Sequence, residues 1–151
     1  MVGRALAQVR DLSNLLRPTV LDDLGLVPAL RGLIEDFGRR TRIEVQLATP
    51  AALPSLAPDV EVTVYRVVQE ALTNVARHAQ ARRANVSLAL ADGQVRVTVV
   101  DDGTGIAGEP EPHMGLLGMR ERVTGLGGRL SVGNQPGSGA RIEVTLPARA
   151  A

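Results

Sequence analysis

The sequence predicts an α+β fold, a two-layer sandwich with helices on one face of a mixed, mostly antiparallel sheet. Three observations carry this expectation. Apolar residues at helical spacing alternate along the chain with pairs of strand-like segments. Those pairs read as hairpins, which need antiparallel neighbours and so argue against a doubly wound parallel sheet. With 151 residues, the chain has the size of one domain and can bury a real core.

The elements follow in order. "ALAQVRDLSNLL" repeats Ala5, Val9, Leu12 and Leu16 at helical spacing, with Leu6 and Leu15 widening the stripe. Pro18 stops this helix, and Asp22 and Asp23 offer caps for the next. "LVPALRGLIEDFGRR" places Leu26, Leu30, Leu33, Ile34 and Phe37 on one face, with Pro28 tolerable only in the first turn. "IEVQL" alternates as a half-buried strand. "PAALPSLAP" has no periodicity and is expected to punctuate rather than pack. The strongest helix is "DVEVTVYRVVQEALTNVARHAQA", whose apolar stripe runs through Val60, Val64, Val67, Val68, Ala71, Leu72, Val75 and Ala79. "NVSLALADGQVRVTVVDD" then reads as two strands around an Asp92-Gly93 hairpin turn. "RERVTGL" is helical, and "GRLSVGN" and "ARIEVTLP" close the chain as two strands joined through "QPGSG".

Composition removes several classes of function. Without cysteine there is no disulfide, thiolate metal site or Cys nucleophile. Two histidines, His78 and His113, are too few for a histidine-rich metal centre. A net charge of +1 gives no field to draw nucleic acid, and Phe37 and Tyr65 alone cannot build a stacking surface for single strands. No apolar run approaches the roughly 20 residues of a membrane span, and no signal peptide opens the chain. No nucleic-acid or membrane contact is therefore expected, and a cytoplasmic location suits the chain.

"VVDDGTGIAGEPEPHMGLLGM", Val99 to Met119, holds five glycines and opens on two adjacent acids. Glycine-rich turns expose backbone N–H groups that bind phosphate. The common phosphate loop needs a lysine after its last glycine, yet all seventeen basic residues here are Arg. A different nucleotide site is implied. Asp101, at the end of a buried strand, reads either as a turn cap or as the acceptor for an exocyclic amine such as that of adenine. Gly103 and Gly105 let the backbone pass close to a flat ring. On the strongest helix, Glu70, Asn74 and His78 sit at i, i+4 and i+8 and share one face. They read either as a polar flank or as chemistry: an amide oxygen suits one place in a magnesium shell, and a carboxylate one turn away can accept a proton.

The conjunction is more specific than its parts. E-x-x-x-N-x-x-x-H on a helix, a hairpin, D-D-G-T-G-I, G-L-L-G-M-R-E-R and G-S-G-A-R-I-E-V-T-L-P, in that order, resemble the GHKL ATPases with their Bergerat ATP-binding fold. Within that superfamily the chain is similar to the catalytic and ATP-binding domain of bacterial sensor histidine kinases. "LLRPTVLDDLGLVPAL" resembles the junction of kinases that pair with helix-turn-helix response regulators. The resemblance implies ATP and Mg2+ as cofactors, with Asn74 on the metal and Glu70 in the chemistry at the γ-phosphate. It implies Asp101 on the adenine amine, with Gly103, Gly105 and Ile106 shaping the ring pocket. Gly115, Leu116, Leu117, Gly118 and Met119 would border the phosphates, with Gly115 and Gly118 bracketing them as part of a flexible lid that ends at a helix from Met119; a short lid from about Ala107 to Met114 fits the subfamily. His78 and Arg77 would stand near the nucleotide, and Arg82 and Arg120 are further candidates for phosphate contact. Ala140 stands where the family usually has Thr, which removes one hydroxyl contact.

The same resemblance implies that residues 1–17 are the tail of a dimerisation and phosphoacceptor helix, with 18–151 the catalytic domain. The phosphoacceptor His belongs on a helix expected before Met1, and neither His78 nor His113 replaces it. The expected partners are that dimerisation domain and, indirectly, a response regulator; the fragment itself is expected as a monomer or weak homodimer. A stand-alone serine kinase of the anti-sigma-factor type and a nucleotide-binding module without kinase activity are the alternatives.

Overall fold

Alternation along the strands decides which side of the sheet is covered. The computed structural model describes residues 19–78, 80–104, 114–134 and 139–148, apart from the side chains of Thr19, Asp22, His78 and residues 114–116. Within them, helices α1 (Thr19–Leu24) and α2 (Leu26–Thr41) precede strand β1 (Glu44–Ala48) and helix α3 (Pro58–His78). Strands β2 (Arg83–Ala91) and β3 (Gln94–Asp101), helix α4 (Met114–Gly125), and strands β4 (Arg129–Asn134) and β5 (Ala140–Pro147) follow. The strands form one five-stranded sheet in the order β1-β2-β3-β5-β4. Only β1–β2 is parallel, as expected for two strands joined through the crossover helix α3; the other pairings are antiparallel. The α+β class with a mixed, mostly antiparallel sheet is borne out.

Register aligns the apolar positions. Val86, Val99 and Ile142 are cross-strand neighbours, as are Leu88, Val97 and Val144, and all six are buried. The alternate positions, such as Ser87, Thr98 and Glu143, occupy the opposite face. Helix α3 lies on the apolar face, with Val60, Val64, Val67, Val68, Ala71, Leu72 and Val75 buried; each such aliphatic side chain stabilises by about 1.5–3 kcal/mol relative to exposure. Helix α2 covers the flank of α3 with Leu26, Leu30, Ile34 and Phe37. The β2–β3 turn is as anticipated: Asp92 and Gly93 have φ of 53° and 73°, the paired left-handed residues that a type I′ hairpin demands.

Three expectations are corrected. Asp22 and Asp23 lie inside α1 rather than capping the next helix; Gly25, with φ 84°, stands at the N-cap of α2 and offers no side-chain cap. The "PAALPSLAP" segment does pack: Leu56 is buried and Leu53 rests against the core, because an aperiodic loop can still bury single leucines. Helix α4 starts at Met114, not Met119, so Gly115 and Gly118 are helical. Their propensity cost, about 1 kcal/mol each, is opposed by burial of Met119 and Val123, four residues apart on the inner face. The expected opening helix and the segment from Gly105 to His113 lie outside the described residues.

Candidate nucleotide-binding site

Strand register brings the sequence-selected residues to one end of the sheet. Helix α3 ends at His78, and β2 begins five residues later at Arg83. Ala84 at the start of β2 faces Asp101 at the end of β3. On the other side of β3, Val100 faces Arg141 near the start of β5. The Glu70–His78 end of α3, the end of β3 and the start of β5 therefore converge. Helix α4 packs on α3 beside them.

Asp101 is only 5% exposed, and a buried carboxylate needs donors. Its Oδ1 accepts from the backbone N–H of Gly103 at 2.9 Å and from that of Ala140 at 3.3 Å. Its own carbonyl oxygen accepts from Gly139 N–H at 3.2 Å. These bonds bear out the cap reading of Asp101, whose Oδ1 closes the turn. Ala140 takes part here through its backbone N–H rather than through a side chain.

Asp102, the second acid of the pair, has a separate task. It is exposed, and its Oδ1 accepts from the N–H groups of Arg82 at 2.8 Å and Arg83 at 2.9 Å. The Arg83 N–H, then the Arg82 N–H, hold this carboxyl below its ordinary range. A depressed carboxyl stabilises the fold above its unfolded pKa, and that contribution disappears as pH falls through the folded value. The Tm difference between the wild type and Asp102→Ala should therefore be present at neutral pH and shrink below about pH 4. A difference that grows on acidification would contradict the clamp.

Asn74 carries the most informative atom. Its Oδ1 is buried and has no hydrogen-bond partner among the described residues. An acceptor in that condition costs roughly 1–3 kcal/mol, and native proteins keep few of them. Glu70, one turn earlier, is partly exposed, and Arg77 is exposed at the end of the helix. His78 closes α3 in the backbone, but its side chain lies outside the described residues, as do the side chain of Leu116 and all of Gly105 and Ile106. Gly115 and Leu116 lie in the first turn of α4, followed by exposed Leu117, exposed Gly118 and buried Met119.

Of the arginines selected from sequence for phosphate contact, Arg77, Arg82 and Arg120 are exposed. The basic groups that interact between α3 and α4 are instead Arg66 and Arg122. Burial first, then the charge of Arg122, lowers the Arg66 guanidinium pKa, and Arg66 Nη1 donates to Gln69 Oε1 at 2.8 Å. Arg66 precedes Glu70 and Asn74 by one and two turns, so the same i, i+4, i+8 spacing was available to find it. Among the described residues no three His, Asp, Glu or Cys side chains cluster as a metal site. A cation here would need Asn74 and oxygens brought by a ligand. No helix of the described residues is long and apolar enough to cross a membrane.

Known proteins resemble this chain in sequence and fold. The chain is 37% identical over 148 residues to the sensor histidine kinase MctS of Rhizobium johnstonii, covering 95% of this chain and 32% of that one. It is 35% identical over 150 residues to the oxygen sensor histidine kinase NreB of Staphylococcus carnosus, covering 97% and 43%. The chain thus spans less than half the length of these relatives. Among solved structures, the blue-light activated histidine kinase of Erythrobacter litoralis EL346 superposes with a TM-score of 0.70 at 25% identity, over 82% of this chain and 42% of that one. The ATP binding domain of PrrB from Mycobacterium tuberculosis shares the fold, with a TM-score of 0.65 at 24% identity, over 82% and 93%. Residues 59–150 match the histidine kinase-, DNA gyrase B- and HSP90-like ATPases, and the chain belongs to that family.

Proposed function

We propose that the protein is the catalytic domain of a sensor histidine kinase, moving the γ-phosphoryl group of Mg-ATP to a histidine on a separate dimerisation domain. Relay to a response-regulator aspartate would follow. The observation that carries this reading is the Asn74 Oδ1, a buried acceptor without a donor among the described residues. A neutral amide oxygen fits one place in the shell of a magnesium ion otherwise held by water and phosphates. When bound, the ion neutralises charge on the β- and γ-phosphates.

The chain's own residues supply the rest. Asp101 accepts from the adenine amine at the closed end of the site. Gly103 leaves the ring room against the backbone, and the α4 residues Gly115 to Met119 border the phosphates. Glu70, next to Asn74 on α3, accepts the imidazole proton as the partner's ring nitrogen bonds to phosphorus and the bond to ADP breaks. A histidine acceptor is supported by the sensor histidine kinase names of relatives that match nearly the whole of this chain.

Calorimetry on the purified chain should show binding of Mg-ATP well above Mg-GTP. Incubated alone with labelled ATP, the chain should gain no phosphohistidine. It should label a separate dimerisation domain of its kinase slowly, because tethering normally supplies a millimolar effective concentration. Equal affinity for ATP and GTP would refute the adenine site, and acid-labile phosphate on the isolated chain would refute the division of labour.

A further inference from the structure

The net charge of +1 conceals how the charges are laid out. Helix α2 carries Arg39 and Arg40 in its last turn and closes on Arg42, whose backbone is left-handed with φ 61°. Strand β1 begins two residues later, and its Glu44 pairs in register with Arg83 at the start of β2. The Arg82 carbonyl oxygen accepts from Glu44 N–H at 2.9 Å, which sets Arg82 at the same corner. Five exposed arginines from two distant segments of the chain thus gather at one corner of the domain. The acids beside them, among the described residues, offset them only in part. Asp36 lies 3.9 Å from Arg39 and 3.0 Å from Arg40, so one carboxylate serves two guanidinium groups. Glu44 stands 3.5 Å from Arg83, and the Asp102 carboxylate is engaged by the Arg82 and Arg83 backbone N–H groups.

The other end of the domain has the reverse character. Asp59 and Glu61 occupy the first turn of α3, and Asp92 stands in the β2–β3 turn, at the opposite end of that hairpin from Asp101. The positive pole is therefore the end to which β3 brings Asp101 and α3 brings Asn74. In the sheet, β1 is two strands from β3, a separation of roughly 10 Å. Helix dipoles alone would give this end the wrong sign for an anion, since α2 and α3 both end there and present partial negative charge. The arginines reverse that sign.

We propose that the arginines at the end of α2 and the start of β2 form a steering surface for the anionic nucleotide. Their summed field draws Mg-ATP toward the open end of the site and speeds its capture, without contact in the bound state. The role rests on the nucleotide reading of the site. It adds residues that no motif marks, because Arg39, Arg40 and Arg42 belong to a helix that covers the flank of α3. Steering has a kinetic signature that contact lacks. A field acting before contact changes the association rate and fades with salt, whereas a lost contact speeds dissociation.

Stopped-flow mixing of the purified chain with magnesium and an ATP fluorescently labelled on its ribose reads both rates. One variant combines Arg39→Gln, Arg40→Gln and Arg42→Asn, Asn being tolerant of the left-handed backbone at position 42. In about 0.01 M salt its association rate should fall by about three- to tenfold, because three charges act there with little screening. Its dissociation rate should stay within about twofold of the wild type. Raising the salt to about 0.5 M should slow the wild type until the two association rates meet. Arg129→Glu, at the start of β4 and toward the acidic end, is the control for net charge. It should change association by less than about 1.5-fold, since a field falls with distance. An association rate that the triple variant leaves unchanged overturns the proposal, as does a loss of affinity carried by dissociation or persisting at high salt. If the triple variant does not fold, a wild-type association rate indifferent to salt overturns it alone. A wild type that binds no labelled ATP at any salt would instead overturn the nucleotide site beneath it.

Discussion

In a complete kinase carrying this domain, Glu70→Gln should slow histidine phosphorylation by roughly 10²–10⁴-fold, the range for loss of a positioned general base. The affinity for Mg-ATP should change by less than about threefold. Gln keeps the length and shape of Glu and can still hydrogen-bond, but cannot hold a proton. Glu70 is partly exposed on α3, so the substitution leaves no buried charge unpaired and the fold should be unaffected. Single-turnover phosphotransfer at saturating ATP separates the step from binding. If binding collapses and the rate at saturation does not, Glu70 belongs to the nucleotide shell and its proposed role is wrong.

Asn74→Ala should do two opposite things. Nucleotide affinity should lose its response to magnesium, because the only protein oxygen assigned to the ion is gone. The nucleotide-free domain should nevertheless be no less stable. Its buried Oδ1 has no partner among the described residues, and relief of an unsatisfied acceptor is worth on the order of 1–3 kcal/mol. This offsets the lost packing of a small side chain. At this size, 1 kcal/mol moves Tm by about 2–4 °C, so differential scanning calorimetry resolves the sign. A fall of many degrees with magnesium dependence intact would show that Asn74 is a structural residue whose partner stands elsewhere. An acceptor kept without a partner among the described residues for the proposed ion would be stability given up at a functional site.

Both experiments concern residues visible in the sequence, because Glu70 and Asn74 share a helix and helical spacing alone puts them side by side. Arg66 belongs to that series as well. Its burial and its interaction with Arg122 arise only once α4 packs on α3, so spacing alone does not separate it from the polar flank. Asp102 was visible in the sequence only as an acid beside Asp101. Its clamp on Arg82 and Arg83 joins residues about twenty positions apart, and nothing local distinguishes it from Asp101.

The sequence by itself determined the order and kind of the elements that repeat with a period, and the Asp92-Gly93 turn. In those places the preference is local: side chains of one stripe seek one face, and two left-handed residues select one turn. The match of E-x-x-x-N-x-x-x-H to its glycine boxes likewise lies along the chain and can be read along it. Tertiary structure decided the rest. It extended α4 back to Met114 through two glycines, because burial of Met119 and Val123 outweighs a propensity written in single residues. It buried Leu56 in a loop without period. It also set Gly139 against Asp101, a contact made only when β5 has paired with β3. Pairing energy accrues across the sheet, between residues whose separation no window along the chain spans, and there the hydrogen bonding of Asp101 is decided.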